Sequence, residues 1–284
     1  MLTVPAFAKI NLTLDITGVR EDGYHLLRSI MHTVRLSDIL TVSAENAEET
    51  SICISTDKSY IPTDGKNTMY KAAEAFCSAL GRPLRIDIKA EKHIPVGAGL
   101  GGGSSDAAAL LRALNRLTGA GFSRKKLCGI GLSVGADVPY CIFGGTAAVE
   151  GIGELVRPLP KLPAWPLLIC KPRGGASTPQ VYREFDRLSG GANRPDNAAA
   201  ESFVRRGDIR GLAGQCKNVL TAAAALIRPE IPEIKSMISG CGALCAEMSG
   251  SGSAVFGIFD SFSEAKAAAD RLSRSIDTVI LTSL

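Results

Sequence analysis

The chain has 284 residues with 45% hydrophobic and 21% charged side chains, an ordinary balance for a globular protein of one large or two moderate domains. Its net charge of +4 suits an anionic small molecule, whereas scattered basic residues and 5% aromatics argue against a nucleic-acid partner. The eight cysteines are dispersed without a C-x-x-C pair, and we expect neither a signal peptide nor a membrane span. These features predict a soluble, cytoplasmic protein without a disulfide framework.

In the first half of the chain, alternating apolar residues predict strands over 4–16, 30–36, 39–42, 52–54 and 84–90. Helices are predicted over 67–80, after the glycine-rich segment that follows the last of these strands, and after Ser123. A hairpin is predicted over 141–154. The proline-rich segment 158–163 is typical of a linker, which predicts an N-terminal domain of residues 1–157 and a C-terminal domain of residues 158–284.

The second half is predicted to contain a strand over 166–170, a helix that begins with Ser177 and Pro179, helical stretches over 197–239, a strand–turn–strand over 247–259 and a last strand over 278–281. Ser261 and Glu264 form a capping box for one more helix. Strands and helices therefore mix without regular βαβ alternation, which predicts an α+β fold.

The most informative segment is PVGAGLGGGSSDAAA, which starts at Pro95 and has five glycines in seven positions. We expect Ser104 or Ser105 to cap the helix that follows, with Asp106 in its first turn. Glycines that lead into a helix N-terminus place backbone N–H groups around an anion, and phosphate is the anion to expect. A flexible linker is the alternative, but a strand before the segment and a helix after it make that the poorer interpretation.

Several kinds of phosphate loop have to be distinguished. Gly97, Gly99 and Gly102 fit G-x-G-x-x-G, yet no acidic residue follows at the distance that a dinucleotide-binding fold needs for its ribose. The segment also lacks the lysine of a Walker A loop, and the chain has no H-R-D or D-F-G triplet of a protein kinase.

The remaining pattern, P-x-G-x-G-L-G-G-G-S-S-[DN]-A-A, resembles the ATP-binding motif of the GHMP kinases. The resemblance implies a two-domain fold with the active site in the cleft between the domains, and it implies ATP with Mg²⁺ as cofactors. The residues that it assigns to ATP are Pro95, Val96, Gly97, Ala98, Gly99, Leu100, Gly101, Gly102, Gly103, Ser104 and Ser105.

Two further segments resemble the catalytic motifs of this family. Lys9, Asn11, Thr13 and Asp15 share one face of the first strand, and a solvated face is our expectation for Thr13 and Asp15. The motif AKINL implies that Lys9 lies beside the reacting hydroxyl and that Asn11 contacts the substrate. In GADVP, Asp137 has the position of a helix N-cap, but the resemblance makes it the general base, kept ionised by Lys9.

The segment GVREDGYHLL places a turn at Asp22–Gly23, followed by Tyr24 and His25. A packed aromatic and a surface histidine are the ordinary interpretation, whereas the resemblance implies that this pair binds a cytosine ring. Two interpretations are open for the segment Ser177–Thr178–Pro179 with Tyr182. It is either a helix cap with a packed tyrosine or, as the resemblance implies, the segment whose aromatic ring stacks on the other face of the base, with Thr178 also at the substrate. The implied substrate is a small molecule, a cytidine diphosphate-linked methylerythritol of isoprenoid biosynthesis.

MSGSGSAVF, which starts at Met248, is an ordinary hairpin loop or the family's third motif, a glycine turn that closes over the phosphates. Near Asn218 the chain departs from the family pattern N-x-L-E, because Thr221 replaces the acid. We expect this difference to lie away from the site. No acidic cluster indicates a metal site, so phosphates and water would hold Mg²⁺, with Ser105 as one candidate ligand.

The activity implied is ATP-dependent phosphorylation of a 2-hydroxyl. Three alternatives stay open at this point: a homoserine or mevalonate-type kinase, a Rossmann-type oxidoreductase, and a noncatalytic nucleotide-binding module. The residues do not indicate an oligomeric state.

Overall fold

The computed structural model describes residues 1–188 and 193–284. The chain forms two compact units. The first consists of Met1–Ala8, Leu36–Ile94 and Gly101–Gly144, and the second of Lys9–Arg35, Pro95–Leu100 and Gly145–Leu284. Within the described ranges no helix is long and apolar enough to cross a membrane. The domain boundary after residue 157 stays a prediction.

The elements of the first half are β1 (Leu2–Val19), β2 (His25–Asn46), β3 (Ser51–Thr56), α1 (Thr68–Leu80), β4 (Leu84–Glu91), α2 (Gly102–Thr118), α3 (Arg124–Leu132) and α4 (Val138–Phe143). In the first unit the end of β2 pairs antiparallel with β4, and β4 pairs parallel with β3. As the period-two pattern predicts, Leu84, Ile86 and Ile88 are buried, and they pack in one core with the apolar faces of α1 and α2.

The elements of the second half are β5 (Thr146–Gly151), β6 (Leu155–Pro158), β7 (Pro166–Lys171), α5 (Thr178–Arg187), α6 (Asn197–Arg206), α7 (Ile209–Ala213), β8 (Lys217–Asn218), α8 (Thr221–Ile227), α9 (Glu230–Ser239), β9 (Cys245–Met248), β10 (Val255–Ile258), α10 (Phe262–Leu272) and β11 (Thr278–Ser283). In the second unit β5 pairs antiparallel with β2 and β6, and β8 pairs parallel with β1. A second sheet has the antiparallel order β11-β7-β10-β9. The capping box of Ser261 and Glu264 at the start of α10 is confirmed.

Three predicted boundaries are wrong. The strands predicted over 30–36 and 39–42 are one continuous strand, β2. The predicted hairpin starts later, at Thr146, because residues 138–143 form α4. Helix α2 begins at Gly102 after an N-cap at Gly101, which is in the left-handed conformation and has no side chain to cap with. Ser104 and Ser105 are therefore helical residues, and Asp106 lies beyond the first turn.

Candidate active site

The first part of the glycine segment, residues 97–100, has its carbonyl groups turned toward the protein. The oxygens of Gly97 and Ala98 accept hydrogen bonds from the N–H groups of Ser253 and Ala254 at 3.2 and 3.1 Å. The next two carbonyl oxygens accept from the Ser249 hydroxyl, at 2.9 Å, and from the Lys9 N–H, also at 2.9 Å. Four consecutive carbonyls are thus fixed by β1 and by residues 249–254, which we call the glycine turn.

Two of these glycines are needed because backbone packs directly on backbone. A Cβ on Gly99 would lie 2.0 Å from the carbonyl oxygen of Ser249, and the residue has a φ of +72°. A Cβ on Gly97 would lie 3.2 Å from the Cα atom of Gly175. No other residue type fits at Gly99 without separating the segment from the glycine turn.

Unlike these carbonyls, the N–H groups of the glycine segment from Gly97 to Ser104 are not hydrogen-bonded to the backbone in the parts of the chain that the structure describes. The first N–H to donate to a backbone carbonyl is that of Ser105, which donates to Gly101 at 2.8 Å within the start of α2. Bound carbonyls combined with available N–H groups at the start of a 17-residue helix suit a negatively charged ligand.

Asn218 supports the glycine turn from beneath. Its buried amide group donates to the carbonyls of Met248 and Gly250 at 2.9 and 2.7 Å, and its Oδ1 accepts from the Leu220 N–H. Asn218 is therefore in contact with the glycine turn, while the expectation that the Thr221 difference lies away from the site stays a prediction. Thr221, which replaces the acid of the family pattern, donates to buried Glu247 at 2.8 Å.

Lys9 and Asn11 lie together on the inward face of β1. The Lys9 side chain is buried, and its Nζ donates to Asn11 Oδ1 at 2.7 Å. The Asn11 amide group donates to the hydroxyl of Ser29 at 2.9 Å, which fixes the amide orientation. A Cβ on Gly250 would come within 3.2 Å of Lys9 Nζ, so the ammonium group lies directly beside the glycine turn.

The solvated face expected for Thr13 and Asp15 is wrong for Thr13. Its side chain is fully buried, donates to Asn197 Oδ1 at 2.6 Å and accepts from the Ile30 N–H at 2.9 Å. Asp15 is partly exposed and pairs with Arg194 at 2.6 Å. The polar face of β1 is therefore covered by the second half of the chain, which strand alternation alone does not reveal.

Asp137 belongs to the first unit, where it is the residue before α4. It occupies the N-cap position, but its side chain makes no capping hydrogen bond, and Pro139 lies in the first turn instead. The N-cap position is therefore confirmed, and the role of the carboxylate as general base stays a prediction. The predicted action of Lys9 on Asp137 stays a prediction.

Of the predicted substrate residues in the second unit, Tyr182 lies beside His25. The turn at Asp22–Gly23 is confirmed, and Tyr24 after it is 58% exposed. The His25 ring lies 4.7 Å from the Tyr182 ring, centroid to centroid, so the structure brings these two residues together. Thr178 Oγ1 lies 2.7 Å from the Ser251 hydroxyl, which joins the start of α5 to the glycine turn.

One ion cluster near the glycine segment has no signal in the sequence. In the first unit, Lys92 forms hydrogen-bonded ion pairs with Asp38 and Asp106, and all three side chains are buried. Asp38 also accepts from the N–H groups of residues 93 and 94, where the chain leaves β4. Burial raises the pKa of Asp106 to about 7, the Asp38 charge adds to the rise, and the Lys92 ammonium opposes it.

Comparison with known proteins identifies the family. The models for the GHMP kinases N terminal domain and the GHMP kinases C terminal domain match residues 67–145 and 199–277. The fold and the two glycine-rich segments define a GHMP kinase, a small-molecule kinase. This class excludes the oxidoreductase alternative.

Similar proteins identify one family within this class. A 4-diphosphocytidyl-2-C-methyl-D-erythritol kinase of Caldicellulosiruptor saccharolyticus is 44% identical over 99% of this chain and 96% of its own, and one of Clostridium botulinum is 41% identical over 99% of both. The crystal structure of a 4-(cytidine 5'-diphospho)-2C-methyl-D-erythritol kinase superposes with a TM-score of 0.82 at 33% identity, over 99% of this chain and 98% of that one. Homoserine kinase from Cytophaga hutchinsonii shares the fold, with a TM-score of 0.72 at 19% identity over 97% and 94%. The chain belongs to the 4-diphosphocytidyl-2-C-methyl-D-erythritol kinase family of the GHMP kinases.

Proposed function

We propose that the protein transfers the γ-phosphoryl group of ATP to the 2-hydroxyl of 4-diphosphocytidyl-2-C-methyl-D-erythritol, in the non-mevalonate route to isoprenoid precursors. The observation that carries the proposal is the position of Lys9 in the second unit. Its N–H donates to Leu100 in the glycine segment, and its ammonium group lies beside Gly250 in the glycine turn. A fixed positive charge next to two phosphate-binding segments is what phosphoryl transfer requires.

The glycine segment is proposed to bind the phosphates of ATP through its backbone N–H groups. Because the carbonyls of residues 97–100 are bound by the protein, the segment does not need to rearrange to present those N–H groups. Pre-set donors contribute more to catalysis than donors that must be ordered during the reaction. The glycine turn, held by Asn218, would complete the enclosure of the phosphates.

Asp137 is proposed to accept the proton of the substrate hydroxyl, and Lys9 to stabilise the charge that develops on the attacking and phosphoryl oxygens. A positioned general base typically contributes about 10²–10⁴-fold to the rate. Transfer would be direct and in line, so that most of the remaining catalysis comes from positioning and electrostatics. Asn11, which accepts from Lys9 Nζ at 2.7 Å, is proposed to orient both the ammonium group and the substrate.

The cytidine end of the substrate is proposed to bind at Tyr24, His25 and Tyr182, with Thr178 nearby. Tyr24 is exposed, and the Arg20 guanidinium lies over its ring at 5.6 Å from the centroid, so the opposite face is proposed to stack on the base. His25 and Tyr182 supply a second aromatic pair whose rings are tilted by 42°. This arrangement supports a substrate with a nucleobase over homoserine or mevalonate, neither of which has an aromatic ring to stack.

Mg²⁺ is proposed to enter with ATP. Among residues 1–188 and 193–284 no three His, Cys, Asp or Glu side chains converge on a metal position. Ser105, the candidate ligand, donates its hydroxyl hydrogen to the Phe7 carbonyl at 2.6 Å. Phosphate oxygens and water would therefore supply most of the magnesium ligands, as is common for this ion. Because ATP is the donor, we also propose a cytoplasmic location.

The test is a coupled assay of ADP release with three acceptors: the cytidylated methylerythritol, homoserine and mevalonate. We expect kcat/KM for the cytidylated acceptor to exceed the other two by at least 10³-fold, because only that acceptor engages the aromatic site. A comparable rate with homoserine or mevalonate would favour the other GHMP kinase activities. ATP binding without ADP release for any acceptor would favour the noncatalytic module.

A further inference from the structure

His25 is held by a helix that binds it through three side chains. Tyr182, Phe185 and Asp186 of α5 have the i, i+3 and i+4 spacing that places them on one helix face. The ring of Phe185 meets the imidazole edge-on at 6.3 Å, and the ring of Tyr182 lies at 4.7 Å. The imidazole, with 13% of its side chain exposed, has little freedom to turn.

The contact with Asp186 distinguishes the two nitrogens of His25. Nε2 lies 2.7 Å from Asp186 Oδ1. A carboxylate only accepts hydrogen bonds, so Nε2 must carry the hydrogen in this contact. In the neutral imidazole the other nitrogen, Nδ1, is then an acceptor with a lone pair.

We infer that Asp186 is a positioning residue that sets which nucleobase the site accepts, by fixing His25 as the tautomer that has Nδ1 as an acceptor. The inference rests on the proposed function and deepens it. Cytosine presents an exocyclic amino group that donates, whereas uracil presents a carbonyl oxygen at the same position. An acceptor at Nδ1 pairs with the amino group of cytosine and faces the uracil carbonyl with no hydrogen between them.

The energetic consequence follows from that mismatch. A buried acceptor that faces a second acceptor loses a hydrogen bond and keeps both desolvation costs, which discriminates more strongly than the loss of a neutral contact. Asp186 itself has a half-exposed side chain, so its hydrogen bond with His25 contributes little to the stability of the fold. Its removal is therefore expected to change the ligand preference and not the folding.

The first experiment records two-bond ¹H–¹⁵N correlations of the ligand-free protein labelled with ¹⁵N-histidine. The chain has three histidines, so the His25→Gln variant assigns the signal. In the wild type we expect the His25 tautomer with hydrogen on Nε2, and in Asp186→Ala a mixture of tautomers. Glu184→Ala is the matched control, because Glu184 is a carboxylate of the same helix that pairs with Arg187 and should leave the tautomer unchanged. An unchanged tautomer in Asp186→Ala would overturn the inference.

The second experiment compares cytidine- and uridine-diphosphate-linked methylerythritol as acceptors. We expect the ratio of kcat/KM for the cytidine acceptor to kcat/KM for the uridine acceptor to fall about tenfold in Asp186→Ala, which is the effect of one hydrogen bond. The fall should come from a higher KM for the cytidine acceptor. The KM of ATP should change less than about twofold, and Asp186→Asn should lose less, because its amide oxygen can still accept from Nε2. An unchanged ratio in a variant that retains activity refutes the role of Asp186 alone. Failure of the wild type to use the cytidine acceptor refutes the proposed function and the base selection together, while the tautomer measurement still tests the contact.

Discussion

The hydroxyl of Ser249 donates a hydrogen bond to the carbonyl oxygen of Gly99 at 2.9 Å, which joins two glycine-rich segments that are 150 residues apart in the chain. The same segments meet at the N–H groups of Ser253 and Ala254. The glycine turn has only serine, glycine and alanine side chains. These hydrogen bonds hold the two segments together, and a substitution that separates the segments should affect ATP binding and folding together.

Gly99→Ala tests the contact between the glycine segment and the glycine turn. The new Cβ would lie 2.0 Å from the Ser249 carbonyl oxygen at a φ of +72°, so the two segments must move apart. We expect a loss of about 3 kcal/mol or more in the free energy of unfolding and a large rise in the Kd for ATP. Urea titration and calorimetry measure the two effects. Gly119→Ala is the control, because its φ is +63° but its Cβ would meet no atom within 4 Å, and it should cost only about 1 kcal/mol.

Tyr24→Ala tests base stacking. We expect the KM of the cytidylated acceptor to rise by about tenfold, since stacking of one base on an aromatic ring contributes about 1–3 kcal/mol. The KM of ATP should stay the same, because the loss is confined to the acceptor. Tyr24→Phe keeps the ring and should behave like the wild type. An acceptor KM that does not change in Tyr24→Ala would remove this residue from the substrate site.

Lys92→Met tests the buried ion cluster. The substitution leaves Asp38 and Asp106 buried without their shared cation, and we expect a loss of about 3–5 kcal/mol in the free energy of unfolding. Lys89→Met, three residues earlier in β4, is the control, because the Lys89 side chain is 67% exposed and its loss should cost less than about 0.5 kcal/mol. Equal urea midpoints for the two variants would show that the cluster does not stabilise the fold.

The free energy of unfolding should depend on pH through the buried His32. Burial, with a smaller effect of the Lys161 charge, lowers the pKa of the His32 imidazole from 6.5 to about 4. The unfolded chain then takes up the proton first, so the contribution of His32 to stability is full above pH 6.5 and is lost as the pH falls toward 4. The wild type should lose about 1.4 kcal/mol per pH unit in this window relative to His32→Gln.

Urea titrations of both proteins at pH 7, 6 and 5 measure this difference. Asp106 acts in the opposite direction, because its raised pKa of about 7 lets the folded protein hold a proton that the unfolded chain releases, and its contribution is lost as the pH rises. Both proteins contain Asp106, so its effect cancels in the comparison. Parallel stability curves for the two proteins would contradict the assignment to His32.

Local patterns account for most of the fold. The alternation of Leu84, Ile86 and Ile88 predicts β4, and the capping box of Ser261 and Glu264 predicts the start of α10, because each depends only on residues a few positions apart. The glycine segment is recognisable for the same reason, since its motif is continuous in the chain. The start of α2 is predicted wrongly because a left-handed glycine, Gly101, replaces the expected serine cap.

The missed features all depend on partners that are distant in sequence. Thr13 is buried by a contact with Asn197, and Asn218 donates to Gly250 in the glycine turn, 32 residues further on. Lys92 needs a carboxylate 54 residues away to be buried as an ion pair. Asp186 follows an otherwise ordinary helix pattern, and only the fold places it against His25. Such pairs have no periodicity, so a single sequence contains no signal for them.

We propose that this chain phosphorylates the cytidylated methylerythritol with Asp137 as the base. The most direct measurement follows the reaction with ATP and Mg²⁺ by ³¹P NMR, for the wild type and for Asp137→Asn. We predict a new phosphate monoester signal with the wild type, and a rate at least about 10²-fold lower with Asp137→Asn while its Kd for ATP is unchanged. No new signal with the wild type, or equal rates for both proteins, would contradict the account.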